Sequence, residues 1–265
     1  MNTLPTYFLS HGGGPWPWMR EQFGSAYDKL DASLKDIQRQ IGGKPKAVLA
    51  VTAHWEGRDF LISSSPRPPM IYDYGGFPPH TYQIQYPAPG SPDLAARVQS
   101  LLIAAGHAAH LDPERGFDHG TFSALYPAFP EADVPIVQLS LKHGLDPATH
   151  LAVGRALRVL RDEGVLIVGS GLSYHNLRAF NAMGAAASHQ FDDWLRAAMA
   201  KPSAERTQTL LDWESAPSAR MAHPREEHLL PLMVVVGAAE DEAASVPYHE
   251  DDFFGALAVT SFKFG

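Results

Sequence analysis

The run Ala47-Val-Leu-Ala-Val-Thr52 has no polar residue until its last position. A half-exposed strand alternates apolar and polar residues, so an unbroken run of this length suits a central strand covered on both faces. Buried strands are also predicted at 3–10, 134–141 and 165–169, and 60–63 reads as a neighbour of the strand at 47–52. Helical spacing fills the intervals. Tyr27, Leu30, Leu34 and Ile37 share one face of a predicted helix over 25–40, which Gly42-Gly43 ends. Ser91-Pro92 is an N-cap followed by proline at the first helical position, opening a helix to about Ala105. Further helices are predicted over 147–163, 188–199, 204–213 and 223–237, the last despite Pro231, and a closing strand over 257–262. Strands alternating with helices make this an α/β chain, a three-layer α/β/α sandwich around a mostly parallel or mixed central sheet. No linker, repeat or low-complexity tract divides it, so residues 1–265 read as one domain.

The same strands carry the chemistry. His11 follows the first, His54 ends the second, and His175 lies in the loop after the strand at 165–169. His228 sits on the predicted helix 223–237. Strand ends of an open α/β sheet converge on one edge, where ligands bind. Imidazoles drawn there from distant parts of a chain make a catalytic metal site. With no cysteine in the chain, disulfides, thiolate ligands and a cysteine nucleophile are excluded, and a metal must be held by His, Asp or Glu.

Most of the 13 histidines have a plainer reading, as hydrogen-bonded structural or surface residues. His107, His110, His150 and His189 stay with it. His54 stands out because Trp55 beside it offers an apolar wall, and His11 because Gly12-Gly13-Gly14 leave open backbone next to the imidazole. His11-Gly-Gly-Gly also matches the oxyanion loop of lipases, but no Gly-x-Ser-x-Gly elbow accompanies it. A His-Glu-x-x-His motif is absent too, which removes a standard zincin protease. His223 and Glu227, four apart, have chelating spacing on one helix face, and His228 falls on another; spacing does not choose between them. Their plainer reading is a solvated helix start. Asp118-His119-Gly120 is a polar loop in which the carboxylate and imidazole form either a turn or a proton-handling pair.

The stretch 64–90 is rich in proline and carries Tyr72, Tyr74, Phe77, Tyr82 and Tyr86. It is either the aromatic wall of a pocket or a surface crossover. A net charge of −8 without any Lys/Arg cluster argues against a nucleic-acid partner. The N-terminus lacks the charged start of a signal or transit peptide, and the apolar stretch 229–239 is too short to span a bilayer. A cytoplasmic enzyme without a membrane partner is the expectation.

Taken together, the segments Ser10-His11-Gly-Gly-Gly-Pro15, Thr52-Ala-His54-Trp55, Tyr72-Asp-Tyr-Gly-Gly-Phe-Pro78, Gly116-Phe-Asp-His119-Gly, Gly169-Ser-Gly-Leu-Ser-Tyr-His175-Asn176 and His223-Pro-Arg-Glu-Glu-His228-Leu-Leu-Pro are informative. In that order they resemble the DODA-type extradiol dioxygenases of the class III, LigB-like ring-cleaving superfamily. The resemblance covers nearly the whole chain. It implies metal ligation by His11, His54 and His228, and an acid/base role for His175, which in zinc-bound members also closes onto the metal. It implies a place for His119 near substrate and dioxygen. Gly13-Gly14 depart from the Ser-Pro of many members, and Arg225-Glu226 from a common Thr-Pro, which bears on substrate identity more than on the reaction.

The implied reaction joins a catechol, possessing a side chain of the dihydroxyphenylalanine type, with O2 and yields a muconic semialdehyde. Fe(II) is the expected active cofactor, and Zn(II), which binds imidazoles well but has no redox chemistry, is expected to occupy the purified protein. Trp16, Trp18, Tyr74 and Phe77 are the candidate walls for the ring. A zinc-dependent hydrolase on the same scaffold and a non-catalytic metal-binding homologue are the competing readings. Oligomeric state is not legible.

Overall fold

The computed structural model describes residues 3–265. The first two residues of the N-terminal reading, Met1 and Asn2, lie outside them. Eight strands form one mixed sheet: β1 (Thr6–Ser10), β2 (Ala47–Gly57), β3 (Phe60–Ser63), β4 (Ala109–Asp112), β5 (Ile136–Lys142), β6 (Val165–Gly171), β7 (Ala244–Phe253) and β8 (Leu257–Phe264). Their order is β4-β3-β5-β2-β6-β1-β8-β7. The four central strands, β5, β2, β6 and β1, run parallel, and β8 closes antiparallel on β1. These central strands hold the apolar runs, and β1 and β6 are buried at every position. Such strands need cover on both faces, and they have it. Gly169 lies against Pro231 of the Leu230–Ala238 helix, whereas its neighbour Ser170 bonds the carbonyl of Gly120 in the His119–Ala128 helix. Adjacent strand residues point to opposite faces, so the two helices sandwich β6.

Several elements differ from expectation. The predicted helix 223–237 begins only at Leu230, and 223–229 is a turn. Pro231 therefore occupies the first turn, where its missing N–H costs nothing. His228 thus precedes the helix rather than riding on it, and His223 and Glu227 share no helix face. The helix His119–Ala128 stands where a polar loop was expected. Asp118 is its N-cap, accepting from the Thr121 N–H at 3.0 Å. Nine of its ten residues are buried, so no amphipathic period marks it, and Gly120 lowers its propensity. Strands β4 and β7 were not expected either. Both are sheet edges, and β7 contains Pro247 and an acidic run, a composition that protects edges but reads as loop. The helix expected over 147–163 tightens into a 3₁₀ turn after Leu157.

Candidate active site

Each histidine is aimed by its own piece of backbone. His11 continues β1, its N–H donating to the Gly171 carbonyl at 3.1 Å and its own carbonyl accepting from Trp16 Nε1 at 2.7 Å. Gly12 beside it has φ +72°, and a Cβ there would stand 2.6–2.7 Å from Trp16 and Tyr27, so only glycine fits. His54 lies where β2 slips register against β5 between Val51 and Glu56; such a bulge re-aims side chains beside active sites. His119 opens its helix, and His175 is tied to the Ala222 carbonyl at 3.0 Å. The His228 carbonyl accepts from Leu172 N–H at 3.1 Å, drawn close because Gly171 has no side chain. In a Gly171→Ala protein the new methyl collides with that carbonyl. We expect metal affinity to fall at least about tenfold, as when a supporting contact is lost. Overpacking should also cost about 1–3 kcal/mol of stability. Metal titration and thermal unfolding measure the two effects, and an unaltered affinity would show that the Gly171 contact does not position His228.

The hydrogen bonds assign the ring protons. Ser170 Oγ–H donates to the Gly120 carbonyl, so the hydroxyl oxygen is left to accept from His11 Nδ1 at 3.1 Å. Asp73 stands between two rings, 2.9 Å from His119 Nδ1 and 3.4 Å from His54 Nδ1. Glu227 repeats the arrangement, with one oxygen 3.0 Å from His228 Nδ1 and 3.2 Å from His175 Nδ1. An Nδ1–H held by an acceptor leaves Nε2 with a lone pair. His11, His119 and His228 thus carry their protons on the outward nitrogen, and the carboxylates facing Nδ1 of His54 and His175 favour the same tautomer there.

This donor set suits a cation. One ring nitrogen from each of His11, His54 and His228 lies within 4.8 Å of the other two. His11 Nε2 and His54 Nε2 face each other at 3.2 Å, and His228 Nε2 is buried without a hydrogen-bond partner. Lone pairs converging in a buried pocket repel unless a metal ion accepts them. The residues therefore fit a divalent metal held by neutral imidazoles. Burial, together with the neighbouring histidines, holds His11 and His228 well below the usual imidazole range. His54 is lowered to about 3 by the same causes, so all three are unprotonated and ready to bind at neutral pH. Burial, the largest single influence, pushes the carboxyls of Asp73 and Glu227 upward, but their hydrogen bonds and neighbouring charges together outweigh it and hold both below the usual carboxylate range.

His175 does not join that three-nitrogen group. Its ring stacks on His228 with centroids 3.3 Å apart, and its potential ligand partners are Glu227 and His228. His223 is removed from the centre altogether. It is buried against Phe191, donating Nε2–H to the Ser173 carbonyl at 2.9 Å, which makes it a structural residue.

The five rings open into a cavity of about 780 Å³, lined further by Tyr74 and Phe77 from the proline-rich stretch. That stretch is therefore a pocket wall, fastened by Tyr74 Oη–H to the Thr81 carbonyl at 2.6 Å and by Ile71 N–H to the Phe117 carbonyl at 2.8 Å. The expectation for Trp16 and Trp18 is corrected: neither lines the cavity. Trp16 is buried in a stack on Tyr27, and Trp18 packs on Tyr126. Sequence reasoning missed Asp73 and Ser170 as proton acceptors and weighed Glu227 only as a ligand. Nothing in the local pattern marks an aspartate between two tyrosines as a partner of His119.

A sequence profile for the catalytic LigB subunit of aromatic ring-opening dioxygenase matches residues 5–259. The chain belongs to the LigB family. This LigB chain is 41% identical to a 4,5-DOPA dioxygenase extradiol of Portulaca grandiflora, covering 98% of this chain and 95% of that protein. It is 37% identical to the enzyme of the same name from Beta vulgaris, over 99% and 97% of the two chains. A crystal structure of an uncharacterised Escherichia coli K12 protein superposes with TM-score 0.78 at 30% identity, over 99% and 100% of the two chains. The class is that of aromatic ring-opening dioxygenases, oxidoreductases that use a metal, an aromatic substrate and O2. Among the described residues of this LigB protein, no helix is long and apolar enough to cross a membrane.

Proposed function

We propose that the protein is a ferrous-iron-dependent extradiol dioxygenase that opens a catechol ring beside its two hydroxyls, with residues 1–265 acting as one catalytic domain. The observation that carries this reading is the inward convergence of ring nitrogens from three histidines whose Nδ1 atoms each face an oxygen acceptor. His11, His54 and His228 would hold the metal. Iron held there would supply the redox chemistry that joins an electron-rich catechol to O2.

The chain's own groups handle the protons. His175 Nε2 is the base for a phenolic proton, because its Nδ1–H is turned to Glu227 and a carboxylate there stabilises the imidazolium that results. His119, paired in the same way with Asp73, also lines the pocket. Tyr74 and Phe77 cover the ring and exclude water from it. Both atoms of O2 end in the ring-opened product, one in the carboxylate and one in the aldehyde, so no external reductant is required.

The test is anaerobic loading of the metal-free protein with ferrous iron, followed by catechols and then oxygen. Oxygen uptake equal to the catechol consumed, with a yellow semialdehyde, is the expected result, and the zinc-loaded protein should show neither. No uptake by iron-loaded protein with any catechol would overturn the proposal in favour of a zinc-dependent hydrolase or a non-catalytic role.

A further inference from the structure

The cavity has a second end that the metal-centred chemistry does not use. Phe23, Tyr27, Phe180 and Phe254 line it, with Leu177 at the rim. Phe254 lies 6.1 Å from Phe23, 5.4 Å from Tyr27 and 5.9 Å from Phe180, ring centre to ring centre, all edge-on. These rings come from three distant stretches of chain and meet only at the cavity.

Phe254 is the least expected of them. It sits at the tip of the β7–β8 hairpin with φ +51°, a left-handed conformation that bulky residues rarely adopt. It is 40% exposed, while its neighbour Phe253 is buried. Neither core packing nor backbone preference explains a phenylalanine in that place. Strained residues of this kind gather where a site needs a side chain held in position. Leu177, 71% exposed, extends the apolar surface outward.

Charge points the same way. Among the described residues lining the cavity, Arg225 is the one lysine or arginine, and it is already engaged. Glu56 holds it with two 2.6 Å bonds, and Glu227 lies 3.5 Å away. Glu56, Asp73 and Glu227 put three carboxylates among the residues that line the cavity. An anionic substituent finds no free cation there, and a zwitterionic one must first open the Glu56–Arg225 pair.

We propose, resting on the catechol reading above, that this end of the cavity selects catechols bearing an uncharged apolar substituent, with Phe180 and Phe254 as the specificity-determining residues. The substituent fills the aromatic end while the diol faces the histidines.

Binding to the zinc-loaded protein, followed calorimetrically, tests this without turnover. The ligands are catechol, 4-tert-butylcatechol, 3,4-dihydroxyphenylpropionate and 3,4-dihydroxyphenylalanine. The alkyl catechol should bind at least about tenfold tighter than catechol, the usual return for filling an apolar subsite, and the two charged compounds should show no such gain. Phe254→Asn keeps a residue that tolerates the left-handed turn and removes the ring. It and Phe180→Ala should each erase most of the gain while leaving zinc content and the binding of plain catechol as they were. An alkyl gain untouched by both variants overturns the assignment. So does a gain for the charged ligands that disappears in Arg225→Ala. If plain catechol also fails to bind, the ring-cleavage reading falls first, and this inference with it.

Discussion

Replacing His228 with alanine should reduce the affinity for Fe(II) or Zn(II) by more than about 100-fold, beyond the 10- to 100-fold loss typical of an orienting partner. His228 Nε2 is buried, has no other hydrogen-bond partner, and is one of three nitrogens that converge within 4.8 Å. Two imidazoles remain after the substitution, and two cannot make the three-ligand face that holds a metal while leaving positions open. The fold should survive, because the Leu230–Ala238 helix starts beyond the substituted residue and is buried on every side. Competition with a chromophoric chelator gives the affinity, and circular dichroism checks the fold. Metal content equal to that of the unaltered protein would remove His228 from the ligand set and leave His175 with Glu227 as the alternative holders.

His175→Ala should behave in the opposite way. We expect turnover of the iron-loaded protein to drop by about 10²- to 10⁴-fold, the usual worth of a general base. Metal affinity should stay within a few-fold, because His228 keeps its bond to Glu227 at 3.0 Å. The limb of the pH–rate profile that reports the base should vanish with the side chain. Loss of the metal together with the activity would make His175 a ligand and not the proton acceptor. The two substitutions separate metal binding from proton transfer, although their rings stack with centres 3.3 Å apart.

Much of this architecture was legible in the chain. The unbroken apolar runs became central strands, because a buried strand is recognisable from a handful of consecutive residues. Histidines at the ends of such strands could be placed on one sheet edge by topology alone. Elements without a local signature were not legible. The fully buried His119–Ala128 helix has no amphipathic face, and the acidic, proline-bearing edge strand β7 looks like a loop. The turn at 223–229 falls within the predicted helix 223–237, on which His223 and Glu227 would share a face; the structure instead buries His223 against Phe191 and sends Glu227 to the site.

The sequence by itself determined the class of fold and the residue types available for a metal, since apolar periodicity and the absence of cysteine are properties of the chain alone. Only the tertiary structure decided which nitrogens converge, which carboxylates hold their protons, and which aromatic rings share a wall. Asp73 meets His119 across 46 residues, and Phe254 reaches Phe23 from the other end of the chain. Contacts of that range arise from packing of the whole sheet and its covering helices, and no spacing within a segment encodes them.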